Sequence, residues 1–359
     1  MKPELEKLCN DYIANRSTVK AAFRFDKADF YPVCASIFCA NGKAADKDRL
    51  KECRKVIKKN TGFRSKFRSG RIRSMLASML AVGENPEERM ALANDYFRLL
   101  KREFKSTEYL VLAAFLLTDL ADRPLTAEKA ARGKELFRRM NQQHRLLTND
   151  TDSVFAMMMA FSGKTDDELL EDTEACWKAL KAKFSSSGDA QTAAQILSLA
   201  AGTPEEKVQR VSDLYDALLE AEIKYGKKQE LAPLAALAMT DAPVPELTEE
   251  IREADEFLAA QPKLYGKKDE DLAERAMHAV MIVSGRYAVT GRVNAAVMAT
   301  TLEIIIAKKQ AARVSFAIQA VQALAGRLGG DKDGDKGADA PAAAETEAAA
   351  ATPTDLSEK

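Results

Sequence analysis

The residues best suited to chemistry in this sequence form one basic segment, residues 51–73. The segment contains ten lysine and arginine residues and a single acid, Glu52. Two aromatic residues, Phe63 and Phe67, lie between the basic residues. Cationic side chains bind phosphate groups, and aromatic rings stack on nucleic-acid bases. The segment is therefore a candidate binding site for a nucleic acid or another polyanion.

The centre of the basic segment, residues 61–70, is expected to join one helix to the next. Cations near such a joint can meet in one place and bind an anion. The candidate anion-binding residues are Arg64, Lys66, Arg68, Arg71 and Arg73. A second interpretation is a solvated basic face with Phe63 and Phe67 in the core. We favour the second interpretation, which predicts that both rings are buried and that DNA and RNA do not bind at physiological salt.

Signatures of catalysis and metal binding are weak in the rest of the sequence. Residues 162–165, Ser-Gly-Lys-Thr, resemble the end of a phosphate-binding loop, but Met158 stands where the leading glycine belongs. The two histidines, His144 and His278, have no metal-ligand spacing. We therefore predict no catalytic residue, no cofactor and no metal site, and we expect that the protein is not an enzyme.

The cysteines and the charge balance indicate a cytoplasmic protein without membrane insertion. The five cysteines fit neither a disulfide framework nor a zinc site, so a reducing compartment is expected. The N-terminus lacks the apolar core of a signal peptide, and no run of about 18 uncharged apolar residues occurs. The 54 basic residues balance the 54 acidic residues, which argues against binding nucleic acid over the whole surface.

Regularly spaced helix-start signals indicate how the helices are arranged. Six residues resemble helix N-caps, whose side-chain oxygens accept hydrogen bonds from the first turn of a helix. They are Asp46, Asn85, Thr126, Thr165, Thr203 and Thr248. The intervals between successive caps are 39, 41, 39, 38 and 45 residues. The sequence therefore predicts a structural repeat of about 40 residues.

Each predicted repeat combines a short apolar helix with a longer amphipathic helix. The short apolar stretches are residues 109–117, 154–161, 192–201 and 231–239. Stretches with few polar residues on any face are typical of buried helices. A unit of this kind buries its apolar face against neighbouring units. We therefore predict an all-α fold of stacked helix-pair repeats, an α-solenoid or α–α superhelix, forming a curved body about 60–70 Å long. The alternative is an irregular helical globule.

Composition divides the chain into three parts. Residues 1–290 are the predicted helical repeat domain, and residues 291–328 form a long C-terminal helix packed on it. Residues 329–359 are acidic and rich in Ala, Gly and Pro, which is typical of disorder. The long helix is apolar on more faces than a lone surface helix tolerates. We expect the repeat domain to cover it, so a monomer is favoured over a dimer.

Four stretches carry a resemblance to a known family. They are residues 51–68, with Thr61-Gly-Phe-Arg-Ser-Lys-Phe-Arg, and residues 105–114, 208–218 and 309–313. Over about residues 1–325 the sequence resembles the bacterial proteins grouped as domain of unknown function 4003. The resemblance implies a helical fold and bacterial origin, and it implies no activity or site residue.

Three functions remain open from the sequence. The first is a non-enzymatic helical-repeat scaffold that binds a protein or peptide. The second is a binder of nucleic acid or another polyanion through residues 51–73. The third is an enzyme whose site is assembled between helices and leaves no motif. We favour the scaffold, because an extended repeat surface is expected and no catalytic constellation is visible.

Overall fold

The computed structural model describes most of the first 287 residues. The exceptions within that range are Phe25, residues 27–29, Arg71, residues 120–123 and residues 266–268. The predicted C-terminal helix at 291–328 and the predicted disordered tail at 329–359 lie outside the described residues.

The described residues form fourteen α-helices, a 3-10 turn at Lys66–Arg68 and no strand, which confirms the predicted all-α fold. Most odd-numbered helices are long and expose one face. They are α1 Pro3–Ala22, α3 Lys47–Lys59, α5 Pro86–Glu103, α7 Ala127–Gln143, α9 Asp166–Phe184, α11 Pro204–Glu220 and α13 Val244–Ala259. The even-numbered helices are mostly short and buried. They are α2 Phe30–Ala40, α4 Arg73–Ala81, α6 Glu108–Leu117, α8 Asp152–Ala160, α10 Ser187–Leu197, α12 Leu231–Ala238 and α14 Asp269–Tyr287.

Side-chain caps set most of the predicted helix starts. Thr165 and Thr203 each form a capping box, in which the Thr side chain and a Glu three residues later satisfy each other's main-chain N–H groups. The cap predicted at Thr248 is wrong, because α13 begins four residues earlier with Pro243 as its N-cap. Thr248 instead donates its hydroxyl to the oxygen of Val244 at 2.9 Å. Proline before and within the first turn favours this earlier start, since its fixed φ suits a helix N-terminus.

Packing between the helices joins the first pair to the last pair. Each odd-numbered helix packs against the even-numbered helix that follows it and against the next odd-numbered helix. The even-numbered helices also contact one another in order, except that the 3-10 turn lies against both α4 and α6. In addition α1 contacts α13 and α14, and α2 contacts α14. The described helices therefore form a closed series, whereas an open stack leaves its two ends apart. The 40-residue repeat remains our interpretation of the alternation between long, partly exposed helices and short, buried helices.

An ionic cluster lies where the series closes. The Glu250 carboxylate on α13 accepts hydrogen bonds from Arg286 and, at 2.9 Å, from the hydroxyl of Tyr287, both on α14. The ammonium group of Lys2, next to the start of α1, lies 3.3 Å from the same carboxylate. The N-terminal amino group lies 2.6 Å from Glu253. The start of the chain is thus tied to the last two described helices by one buried acid.

Arginine side chains of the long helices bind the exposed ends of the buried helices. Arg132 of α7 donates to the main-chain oxygens of Ala160, Ser162 and Lys164, at 3.1, 3.2 and 2.6 Å, at and beyond the end of α8. Arg210 of α11 makes the same kind of contact beyond α12. The last carbonyls of a helix lack donors within the helix, and a guanidinium has five N–H groups to offer.

Replacing Arg132 by Met tests this contact. The variant keeps the aliphatic stem but leaves three oxygens without their donor, so we expect the free energy of unfolding to fall by about 2 kcal/mol. Urea unfolding followed by circular dichroism measures the change. Arg138→Met on the same helix is the control, because the partner of Arg138 among the described residues is the exposed Glu135 and its loss should leave the midpoint unchanged. Equal effects of the two substitutions would contradict the proposed role of Arg132.

No helix in the described part of the chain is both long enough and apolar enough to cross a membrane.

Candidate functional site

The structure places the described anion-binding candidates in different environments. Arg64 and Lys66 are exposed in the connection between α3 and α4. The Arg68 guanidinium turns back to the end of α3, where it donates to the main-chain oxygens of Lys58 and Thr61 and to the Thr61 hydroxyl. Arg68 therefore satisfies helix-end carbonyls. Arg71 lies outside the described residues.

The two phenylalanines of the basic segment have opposite environments. Phe67 is 1% exposed, and its ring centroid lies 5.1 Å from that of Phe97 and 5.9 Å from that of Phe115. Phe63 is 88% exposed. The prediction that both rings are buried is therefore wrong for Phe63. The 3-10 turn at Lys66–Arg68 directs Phe67 inward, whereas Phe63 precedes this turn in an irregular part of the connection.

A basic cleft of about 620 Å³ lies between the end of α1, one face of α3 and the start of α4. Six cationic side chains line it. They are Arg24, Lys51, Arg54, Lys55, Lys58 and Arg73. Four of them belong to α3 at positions i, i+3, i+4 and i+7, which places them on one face of the helix. We call this site the basic cleft.

The positive charges of the basic cleft are only partly neutralised. Lys51 lies 2.8 Å from Asp48, and this contact lowers the pKa of the Asp48 carboxyl. No carboxylate of the described residues lies within 4 Å of the side-chain nitrogens of Arg54, Lys55 or Lys58. Unpaired like charges on one helix face repel each other, and the low-dielectric walls of a cleft concentrate their field. The basic cleft therefore attracts anions.

One carboxylate, Asp26, lies in the wall of the basic cleft. Its side chain is 3% exposed and accepts a hydrogen bond from Arg73, whose side chain is 27% exposed. The turn that carries Asp26 is fixed by Tyr31, whose hydroxyl shares its one proton between the main-chain oxygens of Phe23, at 2.8 Å, and Asp26, at 3.0 Å. Burial raises the pKa of Tyr31, so the hydroxyl keeps the proton that it shares between these two oxygens.

Of the predicted residues, Arg73 lies in the basic cleft, and the described residues Arg64, Lys66 and Arg68 do not line it. The basic segment 51–73 includes the cations of α3, but the predicted site residues do not. The spacing of these cations along the sequence was a usable signal, because i, i+3, i+4 and i+7 define one helix face. The contribution of Asp26 had no sequence signal, since it depends on how the connection between α1 and α2 packs against the start of α4.

The five cysteines are all buried without disulfide bonds in the structure. They are Cys9, Cys34, Cys39, Cys53 and Cys176. Burial raises the pKa of the Cys34 thiol to about 12 and that of Cys53 to about 11. Because the thiolate is the nucleophile, thiols with such pKa values are poor nucleophiles at neutral pH.

We expect the native protein to react slowly with a thiol-specific reagent such as DTNB at pH 8. A thiol with a pKa near 12 is ionised to only about one part in 10⁴ at that pH, and burial blocks the reagent as well. After unfolding in guanidinium, all five thiols should react. Absorbance of the released chromophore over time measures both stages. Rapid reaction of one thiol in the folded protein would identify an accessible nucleophile and contradict this expectation.

Both histidines are held by neighbouring side chains. Nδ1 of His278 lies 3.0 Å from the hydroxyl of Tyr265, and Nε2 of His144 lies 2.6 Å from Glu174. Within the residues that the structure describes, no three His, Cys, Asp or Glu side chains are grouped to hold a metal ion. The basic cleft is therefore the site with the clearest chemistry in the described part of the chain.

The region of the chain that matches a known protein family includes the basic cleft. A family model described as "Protein of unknown function (DUF4003)" matches residues 15–311. The chain belongs to the DUF4003 family. This confirms the resemblance seen in the sequence, and all cationic residues of the basic cleft fall within the DUF4003 region. No curated protein and no solved structure matches the chain. Membership of DUF4003 assigns no activity, so the function must be argued from the basic cleft itself.

Proposed function

We propose that this protein binds a polyanion in the basic cleft. The observation that carries the proposal is the row of Arg54, Lys55 and Lys58, which face the cleft without a carboxylate partner in the described part of the chain. The sequence alone favoured a protein-binding scaffold and ranked a polyanion binder second. The geometry supports the reverse order, because it concentrates the cations of α3 and α4 in one concave site.

Binding in the basic cleft relies on charge and pre-existing shape. An anionic ligand relieves the repulsion among the cations of α3 and gains charge-assisted hydrogen bonds, which are shorter and stronger than neutral ones. One oxygen of the Asp26 carboxylate accepts a hydrogen bond from Arg73, and the whole side chain is only 3% exposed. The lining contains no Cys, Ser or His among its described residues to act as nucleophile or base. We therefore propose a binding site without a reaction, in keeping with our prediction that the protein is not an enzyme.

Isothermal titration calorimetry with inorganic triphosphate tests this proposal. The test variant replaces Arg54, Lys55 and Lys58 together by Gln, which removes three cations from the cleft and retains polar, helix-compatible side chains. We expect affinity to fall by about 100-fold or more, since a hydrogen bond to a charged group contributes about 1.5–3 kcal/mol.

The matched control replaces Arg64 and Lys66 by Gln, because these two cations belong to the same basic segment but do not line the cleft. We expect the control to bind triphosphate as the native protein does. An equal loss in both variants would contradict the proposed site, and so would a native protein that binds neither triphosphate nor nucleic acid.

Protein binding is a second proposal, supported by two exposed apolar side chains. Phe63 is 88% exposed, and Leu146, in the connection between α7 and α8, is 98% exposed. Exposed aromatic and aliphatic side chains are typical anchors of protein interfaces. A pull-down from a bacterial lysate, with and without nuclease, should recover a partner that is lost from the Phe63→Ser, Leu146→Ser double variant. We place both proposed functions in the cytoplasm, because five unpaired cysteines suit a reducing compartment.

A further inference from the structure

We infer that the ligand of the basic cleft is a compact small molecule with two or more linked phosphoryl groups, and that Asp26 holds Arg73 as its directional contact. This inference rests on the proposed function and adds the ligand class and the role of one acidic residue. Three features of the basic cleft support it: its size, the absence of a stacking surface, and the pairing of Asp26 with Arg73.

The dimensions of the basic cleft suit a compact ligand. Its volume of about 620 Å³ lies within the range of small-molecule sites, about 300–1,000 Å³. The cationic face from Lys51 to Lys58 spans seven residues, or about 10 Å along the helix axis. A row of this length accommodates a short chain of linked phosphoryl groups. A single-stranded nucleic acid occupies about 4–16 nucleotides per binding domain and needs a longer basic groove.

The basic cleft also lacks the stacking surface that single strands use. The aromatic residue in its described lining is Phe23, which is only 2% exposed and belongs to the core. The exposed ring of the basic segment, Phe63, does not line the cleft. Single-stranded nucleic acids gain much of their affinity from bases stacked on aromatic rings. The ligand of this site is therefore recognised through its charge and its phosphoryl oxygens.

Arg73 is the residue of the cleft whose side chain can recognise the arrangement of oxygens in a phosphoryl group. Its guanidinium is a planar fork that binds phosphate oxygens in fixed directions, whereas a lysine ammonium acts as a point charge. One of its amino groups, Nη2, is held by the buried Asp26 carboxylate, and Nη1 has no partner in the described part of the chain. Because Tyr31 fixes the turn that carries Asp26, the guanidinium is oriented before the ligand arrives.

If Asp26 positions Arg73, removing the negative charge of Asp26 should weaken anion binding. If charge alone determined affinity, removing any acid near the basic cleft would strengthen anion binding. For Asp26→Asn we expect the opposite, a loss of about tenfold in triphosphate affinity, because the neutral amide holds Arg73 less firmly. Asp48→Asn is the matched control: it also replaces an acid by its amide, but it releases Lys51 and should strengthen triphosphate binding.

Calorimetry on the full-length protein compares these variants with inorganic triphosphate as the probe. Arg73→Lys tests the same positioning role in a second way. It keeps the positive charge but lacks the planar guanidinium, so it should also weaken triphosphate binding about tenfold. Melting curves without ligand show that each variant is folded. Tighter binding by both Asp26→Asn and Asp48→Asn would overturn the positioning role while leaving the proposed function intact. If neither phosphate chains nor nucleic acid bind the native protein, the proposed function itself fails.

The ligand class is tested by comparing orthophosphate, pyrophosphate, triphosphate and a 12-residue oligothymidylate under the same salt conditions. We expect affinity to rise from orthophosphate to triphosphate, because more cations of α3 are engaged, and the oligonucleotide to bind more weakly than triphosphate. Tighter binding of the oligonucleotide, with a log–log salt slope that the Arg54, Lys55 and Lys58 triple variant flattens, would replace the small-molecule ligand by a nucleic acid.

Discussion

Replacing Glu250 by Ala is expected to lower the free energy of unfolding by about 3–5 kcal/mol, because it removes the buried partner of several charged and polar groups. The Glu250 side chain is 2% exposed and accepts hydrogen bonds from Arg286 and Tyr287 of α14. Lys2 approaches it from the N-terminal side of α1. The substitution therefore removes contacts that join α1, α13 and α14, where the series of helices closes.

The adjacent residue provides the control for this experiment. Glu249 pairs with Arg252 on the exposed surface of α13, so Glu249→Ala should leave the unfolding midpoint unchanged. Guanidinium denaturation followed by circular dichroism measures both variants. If the two neighbouring substitutions have the same small effect, the proposed closure of the helix series is wrong. A junction that is already frayed would lose little stability when Glu250 is replaced.

Local features of the fold were predictable from the sequence because they depend on neighbouring residues. The capping boxes at Thr165 and Thr203 involve residues only three positions apart. The buried helix α6 is visible as an apolar stretch at 109–117. Closure of the series was not predictable in this way. It depends on contacts between residues such as Lys2 and Glu250, which have no shared local pattern.

The candidate site was predictable in part for the same reason. The basic segment marked the correct region, since the density of cations is a local property. Within it, the predicted residue Arg68 does not line the basic cleft, because carbonyls at the end of α3 bind its guanidinium. A sequence does not show which carbonyls lack donors until the helix end is known. The pairing of Asp26 with Arg73 depends likewise on tertiary packing.

The phenylalanines of the basic segment give the second large prediction. Phe67 lies in the 3-10 turn that contacts both α4 and α6, and it packs edge-on against Phe97. Replacing Phe67 by Ala leaves a cavity between these helices. We expect the free energy of unfolding to fall by about 3–5 kcal/mol.

The matched substitution Phe63→Ala should leave stability unchanged, because its ring is 88% exposed and loses little buried area. Thermal unfolding of the two single variants side by side decides the matter, with a shift of about 10 °C expected for Phe67→Ala. The same pair bears on function. Phe63 does not line the basic cleft, so Phe63→Ala should bind triphosphate normally while losing any partner that uses the exposed ring. A large stability loss for Phe63→Ala would show that its ring is buried in the folded protein and would remove one of the two side chains that support protein binding.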